Sequence, residues 1–432
     1  FTLDHTDTGD PGITAAADAL LRARRPLIVA GPDAEGEAYA TELLSLARDS
    51  GIPLVAEAAS QLRFRERASV ISTLDLLLRS GRFRERFRPD VILRTGAADT
   101  NAQMQRFMDH CMAEVIQVAP DVRRRDPSHV ASVHLIGDVA EAIRRIHAIA
   151  HSGRMSMGGD WRKLLRDANA SAHAALPIAL DAAGPGFEGV YIHALGESMP
   201  AGMALFVSSS LPIRDVETFL PTTRFPVDVF FNRGANGIDG IVSTALGVAR
   251  GRRSRTILLT GDIAFLHNLN AGYGDALLDI PLIIILLNNN GGGIFEHLPI
   301  RGMDPAYTRH FITPHDTDVP ALCAALRIPW RVAADRAGFS AAFRHTLERP
   351  GISLIEIRTD IHVAGALRRT ALTRIADAVD SALPHSHTGY TGEETSTESE
   401  KVTFSLSWRL YNTGREFRVR VGEGLQGERV EG

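Results

Sequence analysis

Residues 256–262, Thr-Ile-Leu-Leu-Thr-Gly-Asp, form a short apolar run that stops at a glycine and an aspartate. A second run, Pro281-Leu-Ile-Ile-Ile-Leu-Leu287, stops at Asn288-Asn-Asn-Gly-Gly-Gly293. Unbroken apolar runs of this length, without alternation, are what strands buried on both faces of a parallel sheet look like. In an open parallel sheet, ligands lie beyond the carboxyl ends of the strands. Two neighbouring strands that end in Gly-Asp and Asn-Asn-Asn bring a carboxylate and amide carbonyls to one edge.

The same arithmetic extends in both directions. Towards the N-terminus, Pro26–Gly31, Ile52–Ala56, Asp90–Gly96, Glu114–Ala119 and Val133–Gly137 read as buried strands. Segments rich in alanine, leucine and charge, such as Glu37–Arg48 and Ala102–His110, read as helices between them. This alternation predicts a doubly wound parallel sheet that closes near Ile149. His151–Gly159 reads as a linker and Trp161–Ala175 as a helix. A second alternating section follows, with strands at Ala204–Ser208, Val227–Phe231, Thr256–Thr260, Leu282–Leu287, Trp330–Ala333 and Ser353–Arg358, and helices at Ile238–Ala249 and Asn268–Leu278. His385–Lys401 is polar and reads as linker or disorder. Beyond it Val402, Phe404, Leu406 and Trp408 alternate with polar residues like a strand, and Glu416–Val421 is a second candidate. The expected fold class is α/β, with two doubly wound parallel-sheet domains and a short C-terminal extension. The expected boundaries are 1–150, 160–384 and 385–432.

Composition narrows the function. A chain of 432 residues with a net charge of -4 is no polyanion binder, so nucleic acid is not an expected partner. Its cations are almost all arginine, lysine occurring only at Lys163 and Lys401, so arginine clusters such as 123–125 read as solvated faces. Cys111 and Cys323 stand far apart and form neither a metal-ligand spacing nor a disulfide framework. That suits a reducing, cytoplasmic compartment. The longest apolar run, Pro281–Leu287, is too short to span a bilayer, so no membrane is expected. The chain begins at Phe1 and reads as a fragment whose true N-terminus is missing.

The chemistry gathers at the two strand ends. Asp262, the Asn289 carbonyl and a backbone carbonyl of the glycine run would, with a diphosphate and water, complete an octahedral oxygen site for Mg²⁺. Glycines let the backbone approach a diphosphate closely. Either element alone is ordinary turn chemistry. Their combination at the ends of two adjacent strands carries the functional reading.

Gly261-Asp262 followed by Asn288-Asn289-Asn290 resembles the Gly-Asp-Gly…Asn-Asn motif of the thiamine-diphosphate enzymes. Ile263 replaces the second glycine of that motif, a departure tolerated in the 2-succinyl-5-enolpyruvyl-6-hydroxy-3-cyclohexene-1-carboxylate synthase branch. Ser208-Ser-Ser-Leu-Pro-Ile-Arg-Asp215, Asn232-Arg-Gly-Ala-Asn-Gly-Ile-Asp-Gly240 and Asn288-Asn-Asn-Gly-Gly-Gly-Ile-Phe295 also look like that branch. The resemblance covers about Arg25 to Asp360. It implies thiamine diphosphate and Mg²⁺, with Mn²⁺ as a substitute, as cofactors. It implies decarboxylation of 2-oxoglutarate and addition of the succinyl semialdehyde unit to isochorismate, in menaquinone biosynthesis. Residue by residue, it implies metal ligation by Asp262, Asn289 and the Gly291 carbonyl. Asn236, Gly237, Ile238, Gly261 and Ile263 would lie along the cofactor. Ser210, Arg214 and Arg233 would bind substrate carboxylates, which guanidinium forks match bidentately. Ile294 and Phe295 would form an apolar wall. The resemblance also implies a homodimer or homotetramer, and an N-terminal domain supplying an activating glutamate, which the sequence reading does not find. No catalytic residue is therefore assigned within these residues, and the isolated chain is expected to be inactive. Thr100-Asn101-Ala102-Gln103, the counterpart of a basic substrate-gathering stretch, carries no positive charge. His267 and His297 flank the motifs and read as surface residues. Two other readings compete: an acetolactate-synthase-like or 2-oxo-acid decarboxylase, and a non-catalytic fragment or cofactor-binding subunit.

Overall fold

The computed structural model describes residues 6–7, 10–32, 36–66, 70–123, 125–232, 236–272, 279–384, 404–409 and 416–421. Phe1–Pro384 form one compact unit and His385–Gly432 a second.

The first unit holds two sheets. One comprises β1 (Thr6–Asp7), β2 (Pro26–Ala30), β3 (Leu54–Ala56), β4 (Val70–Ile71), β5 (Val91–Thr95), β6 (Glu114–Ala119) and β7 (Ala131–Ile136). Its order is β1-β7-β6-β5-β2-β3-β4. The other comprises β8 (Ala204–Val207), β9 (Asp228–Phe231), β10 (Thr256–Gly261), β11 (Leu282–Asn288), β12 (Trp330–Ala333) and β13 (Ser353–Arg358), ordered β12-β13-β11-β10-β8-β9. Every pairing in both sheets is parallel. The expected α/β fold with two doubly wound sheets is what the chain adopts.

Alternate side chains along the central strands enter different cores, as the pleat requires. Leu27, Val29 and Ile92 of the first sheet share one apolar cluster with Trp161, Leu165 and Leu176 and with Leu205, Ile257 and Ile283 of the second. Ile28, Leu54 and Leu93 face away, under helices Asp10–Arg22, Gly36–Ser50 and Val139–Ser152. Phe206, Leu258 and Ile284 pack under helix Ile241–Arg252. Polar side chains, part-buried and buried, tie the first sheet's loops to the second sheet as well. Gln61 donates from Nε2 to the Val229 carbonyl and accepts from the Val229 N–H at 3.2 Å, on the open edge of β9. Arg63, 1% exposed, pairs with Glu217 and donates to the Ala56 and Glu217 carbonyls at 2.8 Å each.

Several element boundaries differ from expectation. The helix expected from Trp161 to Ala175 runs from Gly159 to Ala183, through Pro177. The proline removes one N–H, but burial of Leu176, Ala179 and Leu180 on the same face holds the next turns. The helix expected to begin at Ile238 begins at Ile241, because the chain turns at 239–240 first. Asn268–Leu278 is not an α-helix where it is described: Leu269–Gly272 forms a 3-10 turn, and 273–278 lie outside the described residues. The linker is shorter than expected, because the flanking helices reach Ser152 and Gly159. The short edge strands β1 and β4 escape sequence reading because two residues carry no periodicity. The polar segment 385–401 lies outside the described residues. In the second unit the two expected strands form as β14 (Phe404–Arg409) and β15 (Glu416–Val421), and they pair antiparallel.

Candidate functional site

The second sheet changes direction between β8 and β10: the chain leaves β8 for the edge strand β9, then returns to β8's other side. Loops on either side of such a reversal diverge and leave a crevice. A cavity of about 500 Å³ opens there, reached by the segments that follow β8, β10 and β11.

Asp262 starts helix Asp262–Leu266 directly after β10 and is 3% exposed. One carboxylate oxygen accepts the Ile263 N–H at 2.7 Å, and the other those of Asn289 at 3.1 Å and Gly291 at 2.9 Å. His315 Nε2 stands 3.3 Å from that second oxygen. Burial pushes the Asp262 carboxyl above its usual range, and the Gly291 and Ile263 N–H groups and His315 draw it only part of the way back.

The three asparagines differ in what they hold. Asn288 donates to Glu356 on β13 at 2.7 Å. Asn290, left-handed at φ 61°, donates to Asp316 at 2.8 Å and accepts the 315 and 316 N–H groups, which fixes the loop to the following segment. Asn289, between them, lines the cavity, and its Oδ1 is buried without a hydrogen-bond partner among the described residues. A buried carbonyl oxygen left bare beside a buried carboxylate is costly unless a donor or cation completes it. A hard, oxygen-seeking divalent cation fits this donor set. Gly291, the third expected ligand, has φ +149°, and a Cβ there would lie 2.3 Å from the Ile312 carbonyl oxygen. Only glycine lets its backbone sit in that gap.

Opposite, Ser210 holds φ 72°, ψ -132°, a region that side chains rarely adopt. Arg214, one turn on, donates to the Ser210 carbonyl at 2.6 Å and lines the cavity. Among the described residues it pairs with no carboxylate, so the rest of its donor fork is available to an anion. Partial burial lowers its basicity. Asn268 donates to the Ile238 carbonyl at 3.1 Å and to that of Ala264 at 2.7 Å, tying the Ile238 segment to the Asp262 helix. Phe295 packs edge-on against Phe311, with centroids 5.3 Å apart.

The cavity wall thus brings together Ser210, Arg214, Asn236, Ile238, Gly261, Asp262, Ile263, Asn289, Gly291, Ile294 and Phe295. Gly237 is exposed and not on this wall. Arg233 lies outside the described residues. His267 is exposed, and His297 lines a separate small recess beside Arg368. His297 is exposed at the surface, yet loss of solvation and then Arg368 push its imidazole down to about 4. Thr100 and Asn101 serve the fold instead, since the Thr100 N–H reaches buried Glu57 at 2.9 Å and Asn101 caps helix Ala102–Asp109.

Sequence reading missed Glu188, His310, Phe311 and Thr313 on the same wall. Glu188 is 2% exposed and accepts from Thr359 at 3.0 Å. A glutamate opening a helix carries no local sign that it faces a cavity.

Residues 13–146 match the family model of the thiamine pyrophosphate enzyme central domain, and residues 218–357 that of the C-terminal TPP binding domain. Among curated relatives, 2-succinyl-5-enolpyruvyl-6-hydroxy-3-cyclohexene-1-carboxylate synthase of Roseiflexus sp. (strain RS-1) is 33% identical over 88% of this chain and 64% of its own length. That of Myxococcus xanthus is 34% identical over 82% and 59%. The chain therefore spans less than two thirds of these relatives. A solved structure described as a thiamin diphosphate-dependent enzyme from Mycobacterium smegmatis shares the fold at a TM-score of 0.57 and 18% identity, over 81% of this chain and 64% of that one. Among the described residues no helix is long and apolar enough to cross a membrane.

Proposed function

Because the chain belongs to the thiamine pyrophosphate enzymes and stands with the relatives of the 2-succinyl-5-enolpyruvyl-6-hydroxy-3-cyclohexene-1-carboxylate synthases, we propose that it forms the diphosphate-, metal- and substrate-holding part of such a carboligase. The observation that carries this reading is the bare, buried Oδ1 of Asn289 beside the buried Asp262 carboxylate, at the carboxyl ends of two adjacent strands. In this proposal residues 1–150 are the central domain and 160–384 the cofactor-binding domain of a cytoplasmic homodimer or homotetramer.

Asp262, Asn289 and the Gly291 carbonyl would hold Mg²⁺, or Mn²⁺ in its place, against a diphosphate. Asn236, Gly261 and Ile263 line the volume such a cofactor would take, with exposed Gly237 beside it, and Ile238 would support the cofactor's bend. Thiamine diphosphate, when bound, supplies the chemistry by which a 2-oxo acid loses CO₂ and its remainder adds to an acceptor. The chain's own residues bind and orient. Arg214, with Ser210 at its back, presents a planar fork to a carboxylate of 2-oxoglutarate or isochorismate, and Arg233 would add a second. Ile294, Phe295 and Phe311 exclude water from the reacting end.

Calorimetric titration with thiamine diphosphate in the presence and absence of Mg²⁺, beside Asp262→Asn, tests the cofactor reading. Binding that requires the metal and is lost in the variant is expected; metal-independent binding in both proteins would refute it. With cofactor loaded, 2-oxoglutarate is expected to bind in preference to pyruvate. The reverse order would favour an acetolactate-synthase-like or other 2-oxo-acid decarboxylase.

A further inference from the structure

The outer face of the first sheet carries a cluster that the carboligase reading does not use. Asp49 ends helix Gly36–Ser50, and His147 and His151 occupy the last two turns of helix Val139–Ser152. One ligand atom from each of the three lies within 4.8 Å of the others. The histidines are four residues apart, so both rings leave the same helix face one turn apart. Their centroids are 6.0 Å apart and their planes nearly perpendicular, at 83°.

We infer that Asp49, His147 and His151 bind a borderline transition-metal dication of the Zn²⁺ class, joining the ends of these two helices. Four observations converge. Two imidazoles and one carboxylate are a donor set for Zn²⁺, Ni²⁺ or Cu²⁺, and not for Mg²⁺ or Ca²⁺, which take oxygens. Among the described residues His147 Nε2 is shut off from solvent and makes no aligned hydrogen bond, and Asp49 Oδ2 stands 3.1 Å away, within ion-pair distance. The nitrogen and the carboxylate oxygen thus stand side by side at the spacing of two ligands on one cation, off the line of a hydrogen bond. Both helices present their carboxyl ends here, so two macrodipoles favour positive charge at the same point. Finally, the helices are rigid where the ligands sit: Leu43, Leu46 and Ala47 of one and Ile143, Ile146 and Ala150 of the other share one buried core. Arg48 faces the other Asp49 oxygen at 3.9 Å, leaving Oδ2 for the metal. Asp49 and His151 are exposed, so the remaining coordination positions belong to water.

The metal would fix the last turn of the helix from which the chain leaves the first sheet. Its function would be to stiffen the exit into residues 153–158 and the long helix after them.

The test is a calorimetric titration of the full chain with zinc chloride, in millimolar Mg²⁺ so that hard-oxygen sites are filled. One equivalent is expected to bind at about 10 µM or tighter, and bound metal is expected to raise Tm by roughly 5 °C. His151→Ala, an exposed position whose loss leaves the core intact, is expected to weaken binding at least tenfold, and Asp49→Asn likewise. His110→Ala, an exposed histidine elsewhere, is expected to change nothing. Co²⁺ is expected to give visible absorption bands that the His151→Ala protein lacks. Absence of a saturable zinc site, or equal affinity in wild type, His151→Ala and Asp49→Asn, would overturn the inference.

Discussion

Gly261 offers a substitution that separates folding from binding. It sits at the end of β10 with φ -83° and ψ 165°, a backbone that alanine adopts without strain. Among the described residues a Cβ built there meets nothing within 4 Å. On stability alone Gly261→Ala is neutral or mildly favourable, by about 0.4–1 kcal/mol, since alanine restricts the unfolded chain. Tm should hold or rise by up to about 3 °C. If the diphosphate lies across this strand end, the methyl takes volume that the cofactor needs. Overpacking by one methyl costs about 1–3 kcal/mol, which corresponds to ~5- to 150-fold weaker binding. The assay is calorimetric titration with thiamine diphosphate at saturating Mg²⁺, with thermal unfolding followed on the same preparations. Weaker binding with intact Tm supports the placement. Wild-type affinity with intact Tm would refute it, because the diphosphate would then lie elsewhere.

Other substitutions probe the surrounding parts. Gly291→Ala, where Cβ would sit 2.3 Å from the Ile312 carbonyl oxygen at φ +149°, is expected to lose cofactor affinity and Tm together, in contrast to Gly261→Ala; retained Tm would show that the loop can shift. Arg214→Ala removes a charged donor fork worth about 1.5–3 kcal/mol, so 2-oxoglutarate should bind ~10- to 150-fold more weakly to cofactor-loaded protein, with thiamine diphosphate affinity unchanged. Arg63→Met leaves buried Glu217 uncompensated and should cost about 3–5 kcal/mol in chemical unfolding; a loss under about 1 kcal/mol would mean that water reaches the pair. Burial, opposed by Arg63, raises Glu217 to about 7 from an ordinary 4.5, and burial raises Asp215 to about 7 from 3.8. Folded values above unfolded ones give stability that is complete below the ordinary range and lost as pH rises through about 7. The chain should therefore unfold more easily at pH 8 than at pH 5, with Glu217 contributing about 3 kcal/mol of the difference at most. Glu217→Gln should flatten that slope, and an unchanged slope would refute the assignment.

The strands that bear the site are legible because a strand buried on both faces must be apolar throughout, and its end is marked where polarity returns. Thr256–Asp262 and Pro281–Asn289 satisfy both conditions, and the parallel pairing of Gly261 with Leu287 then follows from shared length. The different roles of the three asparagines are not legible. They depend on Glu356, Asp316 and the left-handed turn at Asn290, all set by contacts far along the chain. The segment from Thr308 to Thr313, whose backbone closes the glycine loop through the Gly292–Ile312 hydrogen bond at 2.8 Å, has no periodicity to read. The start of the helix after Ile238 is hidden for the same kind of reason: apolar residues continue through a turn that the backbone, not hydrophobicity, dictates. Glu188 shows the remaining gap, since burial beside a cavity is a property of packing and leaves no local mark.

The amide of Gln61 has a consequence of another kind. β9 is the outermost strand of its sheet, and an exposed strand edge is adhesive, offering unpaired N–H and C=O groups to any passing chain. One side chain answers both groups of Val229, imitating a neighbouring strand with a single residue that cannot be extended. Hydrolysis of that amide to a carboxylate would remove the only donor it directs at the Val229 carbonyl and set a negative charge against it. A slow chemical ageing of one half-buried residue in the loop after β3 would thus uncover a sticky border on the second sheet, and self-association, with chemistry at the strand ends still intact, would be its first symptom.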